Sequence, residues 1–249
     1  GRRQQFWDWK GATNFILGGM GSGLIFMSWL GTMFGQVNQT FLPWINAAGA
    51  AVMALGLLTL LFKIGRPFRI LNALRRPQSS WMSREIYLAA AFFPAVALDF
   101  LPWLFDMPVA GPQGLTVLHG LIGLGSAGFL FAQARILFAA KGIPAWRAPL
   151  IPWMMIATGL FEGIGILAVA EAIFPGAFAD PAFLMTAGSI LAVVNFVLWQ
   201  VYRSKARTAG IGPLAIKEFR RISLPLDFIG QLLPWALLVA MRGMPELHN

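Results

Sequence analysis

The residues able to do chemistry in this chain are the few polar side chains that interrupt long apolar runs. Three acids lie deep in such runs: Asp99, Glu162 and Asp227. A polar side chain in hydrocarbon is costly, so each is a functional candidate by default. Glu162 falls about ten residues into its run, near mid-membrane depth. A carboxyl there either relays protons or sits as a protonated acid against a backbone carbonyl. A second group collects nearer one end of the runs: Asn14, Ser80, Ser83, Arg84, Glu85, Gln133 and Arg135, with Arg66 on the preceding loop. Amide, hydroxyl and guanidinium donors stabilise charge developing on an oxygen, and carboxyls move protons.

Each has a structural alternative. Asn14 is suited to an interhelical hydrogen bond. Arg66 and Arg84 are suited to lipid head groups, and Arg135 to an ion pair with Glu85. Ser83 reads as a helix N-cap with Glu85 in the first turn, where the helix dipole favours an anion. Asp99 reads as lying toward water at the far end of its run. His119, at the far start of the fourth run, reads as packing or interfacial. Asp227, close behind Pro225, reads as able to reach the same slot as Glu85.

The elements that must position these side chains follow from composition. The 249 residues are 57% hydrophobic and 12% charged, with a mean hydropathy of +0.68. That much apolar surface does not fit inside a soluble domain. About 20 apolar residues span a bilayer, and runs qualify at 11–34, 44–62, 86–105, 115–140, 152–174, 182–202 and 222–241. The expected fold is all-α: a polytopic transmembrane bundle of about seven helices, with residues 1–249 as one integral membrane domain.

Charge supports this count. Three of the 19 Lys and Arg residues precede the first run, six lie in the second loop, three in the fourth and six in the sixth, and Arg242 alone falls on the other side. By the positive-inside rule the N-terminus is cytoplasmic and the C-terminus periplasmic, in a bacterial inner membrane. The net charge of +9 is therefore read as topology and contact with anionic membrane lipid, not as nucleic-acid binding.

Other chemistry is excluded by residue counts. With no cysteine there is no disulfide, thiolate metal site or iron–sulfur cluster in the sequence. Its two histidines, one of them His248 beside the C-terminal end, do not supply a haem pair. Gly123, Gly125 and Gly128 match G-x-G-x-x-G, but inside a continuous apolar run, without the strand and turn a dinucleotide site requires. Gly19 with Gly23, and Gly159 with Gly163, read instead as stripes for close helix packing.

Between the second and third runs stand GRPFR (65–69) and SSWMSRE (79–85). These resemble the corresponding loop of membrane anchors of the DMSO reductase and polysulfide reductase type. IPAWRAPLIPWMMIATGLFEG (143–163) is similar to that family's P-x-W segment, and WDWKGATNFILGGMGSG (7–23) to the first helix of anchors in the phenylacetyl-CoA:acceptor oxidoreductase group. The resemblance covers roughly residues 7–163. Many of these relatives have eight helices, and some place a histidine where this protein has Ile64.

The resemblance implies a subunit that binds a quinone (ubiquinone or menaquinone) without haem. It would receive or deliver electrons through a partner iron–sulfur subunit that serves a molybdopterin catalytic subunit. On that basis Asn14, Arg66, Ser80, Trp81, Ser83, Arg84, Gln133 and Arg135 are the expected quinone-binding residues, and Glu85, Glu162 and Asp227 the expected proton carriers. Trp81 is either a hot spot at the partner joint or an ordinary interfacial aromatic. A different class, a small secondary transporter with a midplane site, predicts broken helices paired across two halves.

Overall fold

The computed structural model describes residues 8–64, 77–108, 111–140, 142–206 and 210–240. Six long helices are α1 Trp9–Met33, α2 Leu42–Ile64, α3 Trp81–Leu104, α4 Pro112–Phe138, α5 Ile151–Ile173 and α6 Pro181–Ser204. A seventh span, Pro213–Ala240, is composite. It consists of α7 Pro213–Pro225, a π-helical turn Leu226–Leu232 and α8 Leu233–Ala240. All seven are long and apolar enough to cross a membrane. The last one starts earlier than hydropathy places it, because α7 carries Lys217, Glu218, Arg220 and Arg221. The widened turn directly follows Pro225, which lacks an N–H for the helical ladder.

Helix starts follow local chemistry. The Asp8 carboxylate accepts from the Lys10 and Gly11 N–H groups, and Asp180 accepts from Ala182. For α3 the cap is Ser80, whose Oγ accepts from the Ser83 N–H at 3.3 Å. This corrects two expectations. Ser83 is not the cap but a buried residue inside the helix, and Glu85 lies beyond the first turn, facing the interior.

Helices α1 to α4 close a four-helix bundle, in which α1 touches α2 and α4, and α3 touches α2 and α4. Helix α5 packs on the outside of α1 and α4, α6 packs on α5, and the last span packs on α6. The α1–α5 contact is built by the expected glycine stripes. A Cβ added to Gly23 would strike the Gly159 carbonyl, one on Gly163 would strike the Gly23 backbone, and one on Gly19 would lie 3.6 Å from the Gly159 Cα. Helix α4 runs unbroken through Gly123, Gly125 and Gly128, so no phosphate-binding turn exists there.

At the end opposite the basic loops, the α1–α2 and α5–α6 connections join. Val37 bridges Ala179, the Asn38 N–H donates to the Phe178 carbonyl and the Asp180 N–H to the Gln36 carbonyl. The buried Glu171 carboxylate accepts from the N–H groups of Gly176, Phe178 and Ala179. Glu171 thus ties down a loop.

Candidate functional site

The interior of the four-helix bundle holds a polar layer toward the end that carries the N-terminus. Asn14 of α1, Glu85 of α3 and Gln133 of α4 meet there, with Asn14 and Glu85 each 2% exposed and Gln133 0%; Ser83 of α3 is buried as well. Gln133 occupies the space that a side chain at residue 18 would fill, so Gly18 is what admits it. Its Nε2 donates to the Asn14 carbonyl at 3.4 Å, and its side chain lies beside the Glu85 carboxyl.

Three acceptor atoms in this layer have no partner: Asn14 Oδ1, Glu85 Oε1 and Gln133 Oε1. Buried polar atoms are normally satisfied, so such a group of orphans marks a place that expects a donor. A proton on Glu85 Oε1 supplies one. A ligand hydroxyl supplies others.

Around the outer corner of α3 and α4 the remaining predicted residues form a stack. Two guanidinium groups lie against the Trp81 ring, with Arg84 Cζ 4.2 Å and Arg135 Cζ 5.2 Å from its centroid. Phe131 meets the same ring edge-on at 5.5 Å. Arg84 also donates to the carbonyls of Pro77 and Gln78, both at 2.8 Å, clamping the turn that precedes Ser80. Below the stack an apolar groove of about 490 Å³ runs between α3 and α4, lined among others by Trp81, Tyr87, Leu88 and Phe131.

Other predicted residues lie elsewhere. Arg135 stacks on Trp81 and Phe138, and among the described residues no ion pair joins it to Glu85. Glu162 lines a separate hollow of about 270 Å³ bounded by α1, α4 and α5, with Phe15, Trp146, Met154 and Thr158. It reaches a different face of α1 from the one that carries Asn14. Asp227 does not reach the Glu85 layer. It is held by Arg203 Nη1 at 3.4 Å and Gln200 Nε2 at 3.3 Å, both on α6. Arg66 lies outside the described residues.

A second polar layer sits at the other end of the same bundle, where sequence reading expected only a near-water acid and a packing histidine. Asp99 of α3 is 1% exposed. Its Oδ2 accepts from Asn46 Nδ2 of α2 at 2.8 Å, and its Oδ1 lies 2.8 Å from His119 Nε2 of α4. Burial corrects the first expectation, and the contact with Asp99 gives the part-buried histidine a partner. A signal for this layer was present in the spacing: Asp99 follows Glu85, and Gln133 follows His119, by fourteen residues, close to four helical turns.

Fold and interior together define a multi-pass membrane protein with buried ionisable groups, and among the described residues no cluster that could hold a metal ion. The protein belongs to the NrfD polysulphide reductase family, whose model matches residues 2–209. It is similar to the C polypeptide of the anaerobic dimethyl sulfoxide reductase of Haemophilus influenzae, 26% identical over 146 residues, which cover 58% of this sequence and 51% of that protein. It is likewise similar to the C polypeptide of the sulfite dehydrogenase of Allochromatium vinosum, 30% identical over 171 residues, covering 62% of this sequence and 52% of the relative. The matches thus span about half the length of these curated relatives.

Proposed function

We propose that this protein is the membrane anchor of a multi-subunit oxidoreductase, linking a membrane quinone to a partner iron–sulfur subunit and through it to a molybdopterin catalytic subunit. Family membership and the two related polypeptides support the anchor role. The layer of Asn14, Glu85 and Gln133 supports the quinone. Its unpartnered acceptors suit the hydroxyls of a hydroquinone, and the two amides, which carry N–H donors as well, suit the carbonyls of a quinone. The bound group would supply two-electron, two-proton redox chemistry.

The protein's own residues do the rest. Asn14 and Gln133 orient the head group. Glu85 holds a proton at Oε1 and exchanges it with the bound oxygen. The bundle walls exclude bulk water, which strengthens each of these contacts. The Trp81–Arg84–Arg135 stack fixes the loop beside α3 as a basic, aromatic surface for an acidic partner. The charge distribution favours a cytoplasmic N-terminus and a partner on that face.

The observation that carries the reading is the group of three orphaned acceptors inside a bundle of this family. Affinity purification of the tagged full-length protein tests it. The expected result is co-isolation of an iron–sulfur protein and a large molybdopterin protein, with saturable binding of a quinone analogue lost in Asn14→Leu. A protein that purifies alone and binds no analogue overturns the proposal and favours a transporter.

A further inference from the structure

Between the two polar layers the bundle interior is closed by side chains from all four helices: Ile25 of α1, Met53 of α2, Phe92 and Val96 of α3, and Ile122 and Phe129 of α4. All are buried in one apolar cluster. Glu85 and Asp99 are about 21 Å apart along α3, at 1.5 Å rise per residue, and Phe92 stands midway. A proton moves between groups within hydrogen-bond reach or through one water. Apolar interior spaces stay dry, because a water needs two to four polar partners. The hydroxyls at this depth offer no stepping stone. Ser22 Oγ donates to the Gly18 carbonyl at 2.5 Å, and Ser126 Oγ donates to the Gly123 carbonyl at 2.7 Å. Both are turned onto their own helix.

We propose that this six-residue layer is a proton barrier, which separates an inner station at Glu85 from an outer station at Asn46, Asp99 and His119. Protons exchanged at Glu85 then enter and leave on the side of the basic loops alone, and the bundle carries no proton across the membrane. The barrier stands on packing alone. Only the statement about exchange at Glu85 rests on the proposed quinone chemistry.

The test is passive proton flux into vesicles holding a pH dye, reconstituted with the full-length protein and driven by a potassium diffusion potential. The wild type is expected to add no flux over protein-free vesicles. Phe92→Asn with Phe129→Asn gives water the polar partners it lacks, and uptake should rise by about tenfold. Adding Glu85→Gln or Asp99→Asn to that pair should remove the gain, because the leak uses both stations. Leu124→Asn, on the exposed side of α4, should leave flux at the wild-type level. If the asparagine pair does not fold, Phe92→Thr with Phe129→Thr carries the same expectation. A wild-type flux abolished by Glu85→Gln, or a folded double variant as tight as wild type, overturns the proposal. Quinol oxidation by the assembled complex is measured separately, so loss of that activity with a tight bundle refutes the redox reading and not the barrier.

Discussion

His119 Nε2 lies 2.8 Å from Asp99 Oδ1, and the Asp99 side chain is wholly withdrawn from solvent. The pair joins α3 to α4, and Asn46 extends it to α2. Removing the histidine leaves a buried carboxyl short of a hydrogen-bond partner, at a cost of about 1–3 kcal/mol. His119→Ala should therefore lower the melting temperature of the detergent-solubilised protein sharply, while His119→Gln, which keeps a donor, should recover part of the loss. An unchanged melting temperature in His119→Ala would show that the pair bears no structural weight.

Glu85→Gln preserves volume and hydrogen bonding but removes the proton carrier. Quinone turnover by the assembled complex should fall by about 100-fold, the scale of one acid–base contribution, while analogue binding and subunit assembly persist. Full turnover in this variant removes Glu85 from the chemistry.

Glu162 belongs to a hollow on another face of α1, and residues without shared partners act independently. The effects of Glu162→Gln and Glu85→Gln on turnover should multiply in the double variant. A double variant no worse than Glu85→Gln alone would place both acids on one relay.

Trp81→Ala should weaken the co-isolated complex by about 2 kcal/mol or more if the ring is an interface hot spot. Arg84→Lys should not substitute for the native residue, since an ammonium lacks the planar fork that stacks on Trp81 while holding two carbonyls. Binding of the purified partner to each variant, measured by titration, decides this.

Gly23→Val should disrupt the α1–α5 contact, because its Cβ meets the Gly159 carbonyl rather than a movable side chain. A loss of about 1–3 kcal/mol is expected from overpacking, seen as a smaller monodisperse fraction on size-exclusion chromatography. Gly165→Val, where a Cβ meets nothing within 4 Å, should behave as wild type.

Much of the architecture was legible in the amino-acid sequence. Seven spans follow from hydropathy, which sums over neighbouring residues. The sidedness of Lys and Arg follows from counting loops, and the glycine stripes follow from helical spacing, where residues four apart share a face. Local chemistry was less decisive where two residues competed. Ser80 and Ser83 are both good caps, and only the chain direction out of the Pro77 turn selects Ser80. The start of the seventh span was missed because α7 is amphipathic and charged, so hydropathy alone does not see it.

The sequence by itself determined that this is a helical membrane protein with costly polar groups at known depths. Only the tertiary structure decided which of them meet. Asn14, Glu85 and Gln133 come from three helices far apart in sequence, as do Asn46, Asp99 and His119. Asp227 was drawn to Arg203 instead. Depth is a count along one helix, but contact depends on how each helix is rotated and which neighbour it faces. Those are set by side-chain packing between helices, which no single run of residues encodes.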